Sequence, residues 1–345
     1  MRKIFAWLLA VALGLAGPAN ACAFHTYLPE RTVIDRLLET ENVVLARAAE
    51  ANPFRFEAVE ALEGTLEQAD LPTLVDSSTR RRLAANPEDT VLFARDGGGY
   101  GPFVRLAYLD SAYRAVIDSV MAQKEDWITG NDMARFQFFA DLLDHPSPTI
   151  RALALRELDL APYAMLRALD LVPDSEAILR DMWRVDQIGY QPIRILLLGR
   201  STDPAAHEEV REGLDRALRG GSVINLGPYA TAMVEQKGLA GAGRLAERLS
   251  DGSLDDTELE VIVEALAIHA GTGDEAMRAH VIDLLTDFVM SHPDTADMVA
   301  RQFQIRYDFG MADALLALLE EGTIRSARVL LPVSAYVATA KSGNP

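Results

Sequence analysis

One cysteine in 345 residues excludes an internal disulfide, so packing and hydrogen bonding have to hold this chain together. Basic residues are scarce. Against 51 Asp and Glu stand only 33 Lys and Arg, a formal charge of -18 that repels nucleic-acid phosphates and anionic headgroups. Nucleic acid is therefore not an expected partner. Beyond the first residues no stretch reaches the roughly 20 apolar residues of a transmembrane helix. No Asn-x-Ser/Thr acceptor occurs, which fits a bacterial envelope better than a eukaryotic secretory route. HExxH histidine spacing and a G-x-S-x-G elbow are both missing, and no Lys-Ser/Thr follows the run Gly97-Gly98-Gly99, which reads as a hairpin turn. No catalytic set is predicted.

What the chain does carry at its start is an export signal. Arg2 and Lys3 precede an apolar run from Ile4 to Ala16, and the small-residue site Ala19-Asn20-Ala21 follows. Cleavage after Ala21 is expected, giving residues 1–21 as signal peptide and a periplasmic or secreted protein that begins at Cys22. Its loss removes two positive charges and takes the formal charge from -18 to -20.

The remaining length suits two domains, and the pattern changes near Trp127. Five short β-prone runs lie between Asn42 and Leu109: NVVLARAAE, PFRFEAVEALEG, PTLVDS, TVLFARD and GPFVRLAYL. Breakers such as Asn52-Pro53 and Asn86-Pro87 separate them. In the second run Phe54, Phe56 and Ala58 alternate with Arg55 and Glu57, the period of a half-buried strand. Helices are expected around 32–38 and 112–123, and Arg80-Arg81-Arg82 reads as a solvated loop or helix start without a function. Residues 22–127 are thus predicted as a small antiparallel β-barrel or sandwich.

From Asn131 to about Ala340 the spacing is helical. Phe136, Phe139, Ala140 and Leu143 share a face, His145-Pro146 breaks the chain, and Ser147-Pro148 opens a helix burying Ile150, Leu153, Ala154 and Leu158. A helix pair with so short a turn cannot cover its own apolar face and must stack on a neighbour. The fold class expected is α+β multidomain, a small β domain followed by an all-α antiparallel helical-repeat array over 131–340.

LLDHPSPTIRALALREL resembles the second half of a HEAT repeat through Ile150, Arg151, Ala154 and Leu158, with an echo at Ile193, Arg194 and Leu197. The resemblance implies stacked helix pairs that present an extended protein-binding surface. The segment from Cys22 through ENVVLARA and FRFEAVEALEG is similar to the start of netrin-like domains, the barrels of tissue inhibitors of metalloproteinases, though the further cysteines of those domains are missing. That second resemblance implies a closed barrel and an inhibitory N-terminus.

Cys22 admits three readings: a lipid attachment site, a metal ligand, or an incidental thiol. Attachment of a lipid would tether the protein to the outer membrane, yet Ala19 stands where lipoprotein signals usually place leucine. As a metal ligand, Cys22 with its α-amine and His25 forms a C-x-x-H cluster soft enough for copper or zinc. Otherwise no cofactor is expected. Asp251, Gly252, Leu254, Asp255 and Glu258 fall at EF-hand places, but Glu247 and Leu249 fail the first and third, and Asp255 with Glu258 also makes a capping box.

The function expected is an exported cell-envelope binding or scaffolding protein that holds a protein partner on its helical-repeat surface, with a membrane met only through a lipid on Cys22. Two alternatives stand beside it: an inhibitor or metal-responsive binder acting through Cys22 and His25, and a hydrolase with an interdomain cleft.

Overall fold

A computed structural model describes residues 29–96, 100–220 and 223–343. Contacts divide them into two compact units. One holds residues 29–160 with 169–171, and the other holds 161–168 with 172–343.

The first unit is built on an antiparallel sheet of β1 (Val43–Ala48), β2 (Phe56–Glu63), β3 (Thr90–Arg95) and β4 (Phe103–Leu109), in the order β2-β1-β3-β4. Register sets Val44 against Ala61 on one side of β1 and against Phe93 on the other. The two central strands read as unbroken apolar runs, VVLA and VLFA, because both of their faces are covered. Val43, Leu45, Leu92 and Ala94 meet α1 (Val33–Leu38), α3 (Ser111–Ile128), α4 (Asp132–Ala140) and α5 (Pro148–Asp159). On the opposite face, Val44, Ala46, Val91 and Phe93 pack with Leu71, Val75 and Leu83, the last from α2 (Ser77–Ala85).

Three expectations are corrected here. Among the described residues the sheet is open, with four strands, so they form neither a barrel nor the closure implied by a netrin-like domain. The run PTLVDS contributes one isolated bridge, Leu74 to Arg55, instead of a fifth strand. Phe54 does not share the buried face of Phe56: it precedes β2 and is 56% exposed.

The boundary also lies later than Trp127. Ile150, Leu153, Ala154 and Leu158 are buried as expected, but Ile150, Leu153 and Ala154 close the same core as Ile34, Val43 and Ile117. An apolar stripe does not specify which neighbour covers it, and here the sheet's helices do.

The second unit is helical throughout its described residues. It comprises α6 (Tyr163–Ala168), α7 (Ser175–Asp181), α8 (Gln191–Gly199), α9 (Pro204–Gly220), α10 (Leu226–Lys237), α11 (Leu239–Ser250), α12 (Asp256–Thr272), α13 (Glu275–Ser291), α14 (Ala296–Gln304), α15 (Ala312–Glu321) and α16 (Ala327–Ser342). Helices α8, α10, α12, α14 and α16 pack side by side as one row. Helices α9, α11, α13 and α15 lie against that row as a second layer, and α6 packs on α12.

Sequence explains the two rows. In α9 only Ala206, Val210, Gly213, Leu214 and Ala217 are buried, the stripe of a helix with one covered side. All nine residues of α8 are buried, as are Leu226–Val234 of α10 and Val261–Ala270 of α12. Helices apolar all round belong inside. Close approach within the row depends on small residues: a Cβ on Gly199 would lie 2.9 Å from Cα of Ala232.

Carboxylates open many of these helices. Asp76, Asp110, Asp174 and Asp274 each accept a backbone N–H from the first turn as N-caps. Asp255 with Glu258 forms a full capping box at the start of α12. Part of the chain's acidity is thus structural.

Candidate functional site

Trp183, Val185 and Ile188 are 55%, 86% and 52% exposed within six residues of chain joining α7 to α8. Apolar side chains left in water at this density need either a flexible loop or a purpose. The loop is braced. Met182 is fully buried beneath it, and Gln191 Nε2 donates to the Met182 carbonyl over 3.1 Å. Arg194, itself only 5% exposed, donates to the Asp181 carbonyl at 3.3 Å and to Gln187 Oε1 at 2.8 Å. Burial pushes its guanidinium down from the usual arginine range, and Asp181 partly offsets this. On the far side Arg216 of α9 stacks its guanidinium 5.2 Å from the Trp183 ring. The result is a rigid platform with an indole and a guanidinium side by side, the two groups that dominate protein-binding energetics.

Arg194 belongs to the repeat-like echo noted in the sequence, and Arg151 does a comparable job at its own turn, donating to the carbonyls of His145 and Pro146. Ser147 holds the N-cap position of α5 without a side-chain cap bond, so Arg151 and His145 organise that turn instead.

The face of the row turned toward α6 carries a polar cluster. Tyr163 donates its hydroxyl to Glu235 at 2.9 Å, and Arg167 reaches Glu235 at 3.2 Å and the Thr272 carbonyl. His269, 2% exposed, donates Nε2–H to the Thr231 carbonyl at 2.9 Å and meets the Tyr163 ring edge-on. Burial drives the imidazole down to about 4, and burial with the Glu235 charge drives the Tyr163 phenol up. A neutral imidazole and an un-ionised phenol locked to backbone carbonyl and carboxylate tie α6 to the row. Further along, Arg301 bridges Glu260 at 3.0 Å and Asp297 at 2.6 Å, and Arg306 meets the fully buried Glu264 at 3.2 Å. These pairs fix the register of α12 against α14.

Cys22 and His25 lie outside the described residues, as do the cleavage site and residues 97–99 of the glycine run. At the EF-hand-like segment, Asp251 accepts from Ser253 N–H, and Glu258 from Asp255 N–H, so both carboxylates serve turns. Among the described residues no three His, Cys, Asp or Glu side chains gather as a metal-holding group, and no helix is long and apolar enough to cross a membrane. His145 sits at an interhelical turn, as its Pro146 neighbour suggested, and His292 caps the end of α13.

Neither Trp183 nor Arg216 stands out in the sequence. Its one available signal was WRVDQIGY, three apolar residues and a tyrosine in a stretch with neither helical nor strand periodicity. Comparison with family models, curated proteins and solved structures finds no match for this chain.

Proposed function

We propose that this chain is an exported protein of the bacterial cell envelope that holds a protein partner on a HEAT-like helical array, with Trp183, Val185, Ile188 and Arg216 as the contact. The observation that carries this reading is the braced exposure of residues 183–188, a turn running into a 3-10 helix. A segment already fixed by Gln191 and Arg194 loses little conformational entropy on binding, and preorganisation of that kind raises affinity without adding area. The regular two-row stack supports the repeat interpretation, since such arrays commonly offer extended surfaces to other proteins. Export rests on the N-terminal charge, apolar run and Ala19-Asn20-Ala21 site.

The test uses the full exported chain. Wild type should recover a partner from an envelope extract, and Trp183→Ala combined with Val185→Ser should lose it while helicity and Tm stay unchanged. Equal recovery by this double variant would overturn the assignment of the site.

A further inference from the structure

The three consecutive arginines that carried no function in the sequence occupy the outward face of α2. Thr79 and Leu83 turn into the core. At about 100° per residue the exposed arc then holds Ser77, Ser78, Arg81, Arg82, Ala84 and Ala85, with Arg80 half-buried at its border and no carboxylate among them. The N-cap Asp76 is consumed by Ser78 and Thr79 at its oxygens and by Arg105 at 2.8 Å, bonds that hold its carboxyl far below the usual range, while Asp89 accepts at 2.6 Å from the hydroxyl of Tyr108, the ring that Arg82 covers. Among the described residues Arg80, Arg81 and Arg82 form no salt bridge.

Two of the three are held in place by rings. Arg80 lies 4.5 Å above Phe54 and Arg82 lies 3.5 Å above Tyr108, while Arg81 Nε bonds the Ser77 carbonyl at 3.2 Å. Phe54, the ring under Arg80, is 56% exposed, and Leu74, 60% exposed, lies on the neighbouring backbone, since Arg55 bridges Leu74 and Val75 N–H donates to the Phe54 carbonyl at 3.0 Å.

We propose that this face of α2, with Phe54 and Leu74 at its edge, docks on an anionic phospholipid surface. The guanidiniums are spread around the arc, with small side chains between them, instead of converging on one point as recognition of a single acidic side chain requires. Cations spread over the outer side and both flanks of a helix, with two exposed apolar side chains near one flank able to enter the headgroup boundary, suit a surface of many anionic headgroups. The chain's net charge of -18 does not forbid this, because carboxylates beyond a Debye length of about 8–10 Å are screened at physiological salt. The surface is independent of the array's partner.

The experiment is sedimentation of the full chain carrying Cys22→Ser, which excludes a lipid anchor, with vesicles of phosphatidylcholine alone or with about a third phosphatidylglycerol. Binding is expected only to the anionic vesicles and should weaken with salt. Replacing Arg80, Arg81 and Arg82 by Gln should lower partitioning on the order of a hundredfold, and Phe54→Ser with Leu74→Ser roughly tenfold. Arg81→Glu, which disturbs only one local bond, serves as a second variant should the triple change unfold α2, and should also reduce binding. No sedimentation with anionic vesicles, or unchanged sedimentation of Arg81→Glu, overturns the proposal. So does capture of an acidic peptide in place of vesicles, which would identify a protein ligand for the face.

Discussion

Arg135 joins two carboxylates from two different helices: its Nη2 lies 2.6 Å from Glu157 of α5 and 2.7 Å from Asp35 of α1. Glu157 is fully buried, and Asp35 also closes the capping box of α1 with Thr32. Removing Arg135 leaves the buried Glu157 carboxyl without its donor, to be met by protonation or by an uncompensated charge, so Arg135→Met should cost about 1–3 kcal/mol. Arg135→Met with Glu157→Leu should recover much of that loss. Denaturant unfolding of the two variants checks the pair, and equal destabilisation of both would refute the cost of the orphaned carboxylate.

Burial raises the Glu157 carboxyl from 4.5 to about 7, against the opposing pull of Arg135. Between those values the folded state holds a proton that the unfolded state has released, so this group's contribution to stability falls as pH rises through that window. Glu157→Gln should therefore remove a downward slope between pH 4.5 and about 7 from the stability profile. An identical slope in the variant would show that Glu157 does not titrate there.

His269 has the opposite sign. Its imidazole is held at about 4 against an ordinary 6.5, so on acidification the unfolded state takes up the proton first. Its contribution to stability is complete above 6.5 and is lost as pH falls toward 4. His269→Leu should flatten the acid limb of unfolding of the helical unit, as followed by calorimetry, and a limb as steep as in wild type would count against it.

Leu153→Asp should collapse the sheet-bearing unit, because it places a charge in the core shared with Ile34 and Val43. The penalty should exceed about 4 kcal/mol. Trp127 is buried in that core, so in a Trp7→Phe, Trp183→Phe background its emission isolates the unit. A native Trp127 spectrum in the Leu153→Asp chain would contradict the placement of α5.

Gly199→Ala should destabilise the row by about 1–3 kcal/mol, since the new methyl meets the backbone of Ala232. Gly243→Ala in α11 meets nothing within 4 Å and should stabilise by about 0.5–1 kcal/mol. Thermal unfolding of both variants separates tight packing from a general effect of glycine.

Much of the architecture could be read from residue pattern. VVLA and VLFA are apolar runs between breakers, and the long helices keep their spacing, so the α+β class and the helical stretch over much of 131–340 were legible. Strand closure was not, because it depends on whether edge strands meet, and no residue in β2 or β4 encodes that. The membership of α5 was hidden for a related reason: Ile150, Leu153 and Ala154 specify a buried stripe without naming its cover. Helix α2 was masked by its three arginines, which suggest a solvated stretch until Thr79 and Leu83 are seen to anchor one side. At the site, Arg194 was noticed as a repeat signature, whereas Trp183 carries no periodicity and gains meaning only from the buried residues that brace it.

The chain enters the helical unit at residue 161, returns to the sheet-bearing unit for residues 169–171, and leaves it again at 172. In that short return, Gln137 and Asp170 exchange two hydrogen bonds, of 2.9 and 3.0 Å. No single break in the polypeptide therefore yields both units whole. A recombination event that moved either one into another gene would take a fragment of the other or leave a fragment behind, and the two are expected to travel through evolution as a single heritable piece.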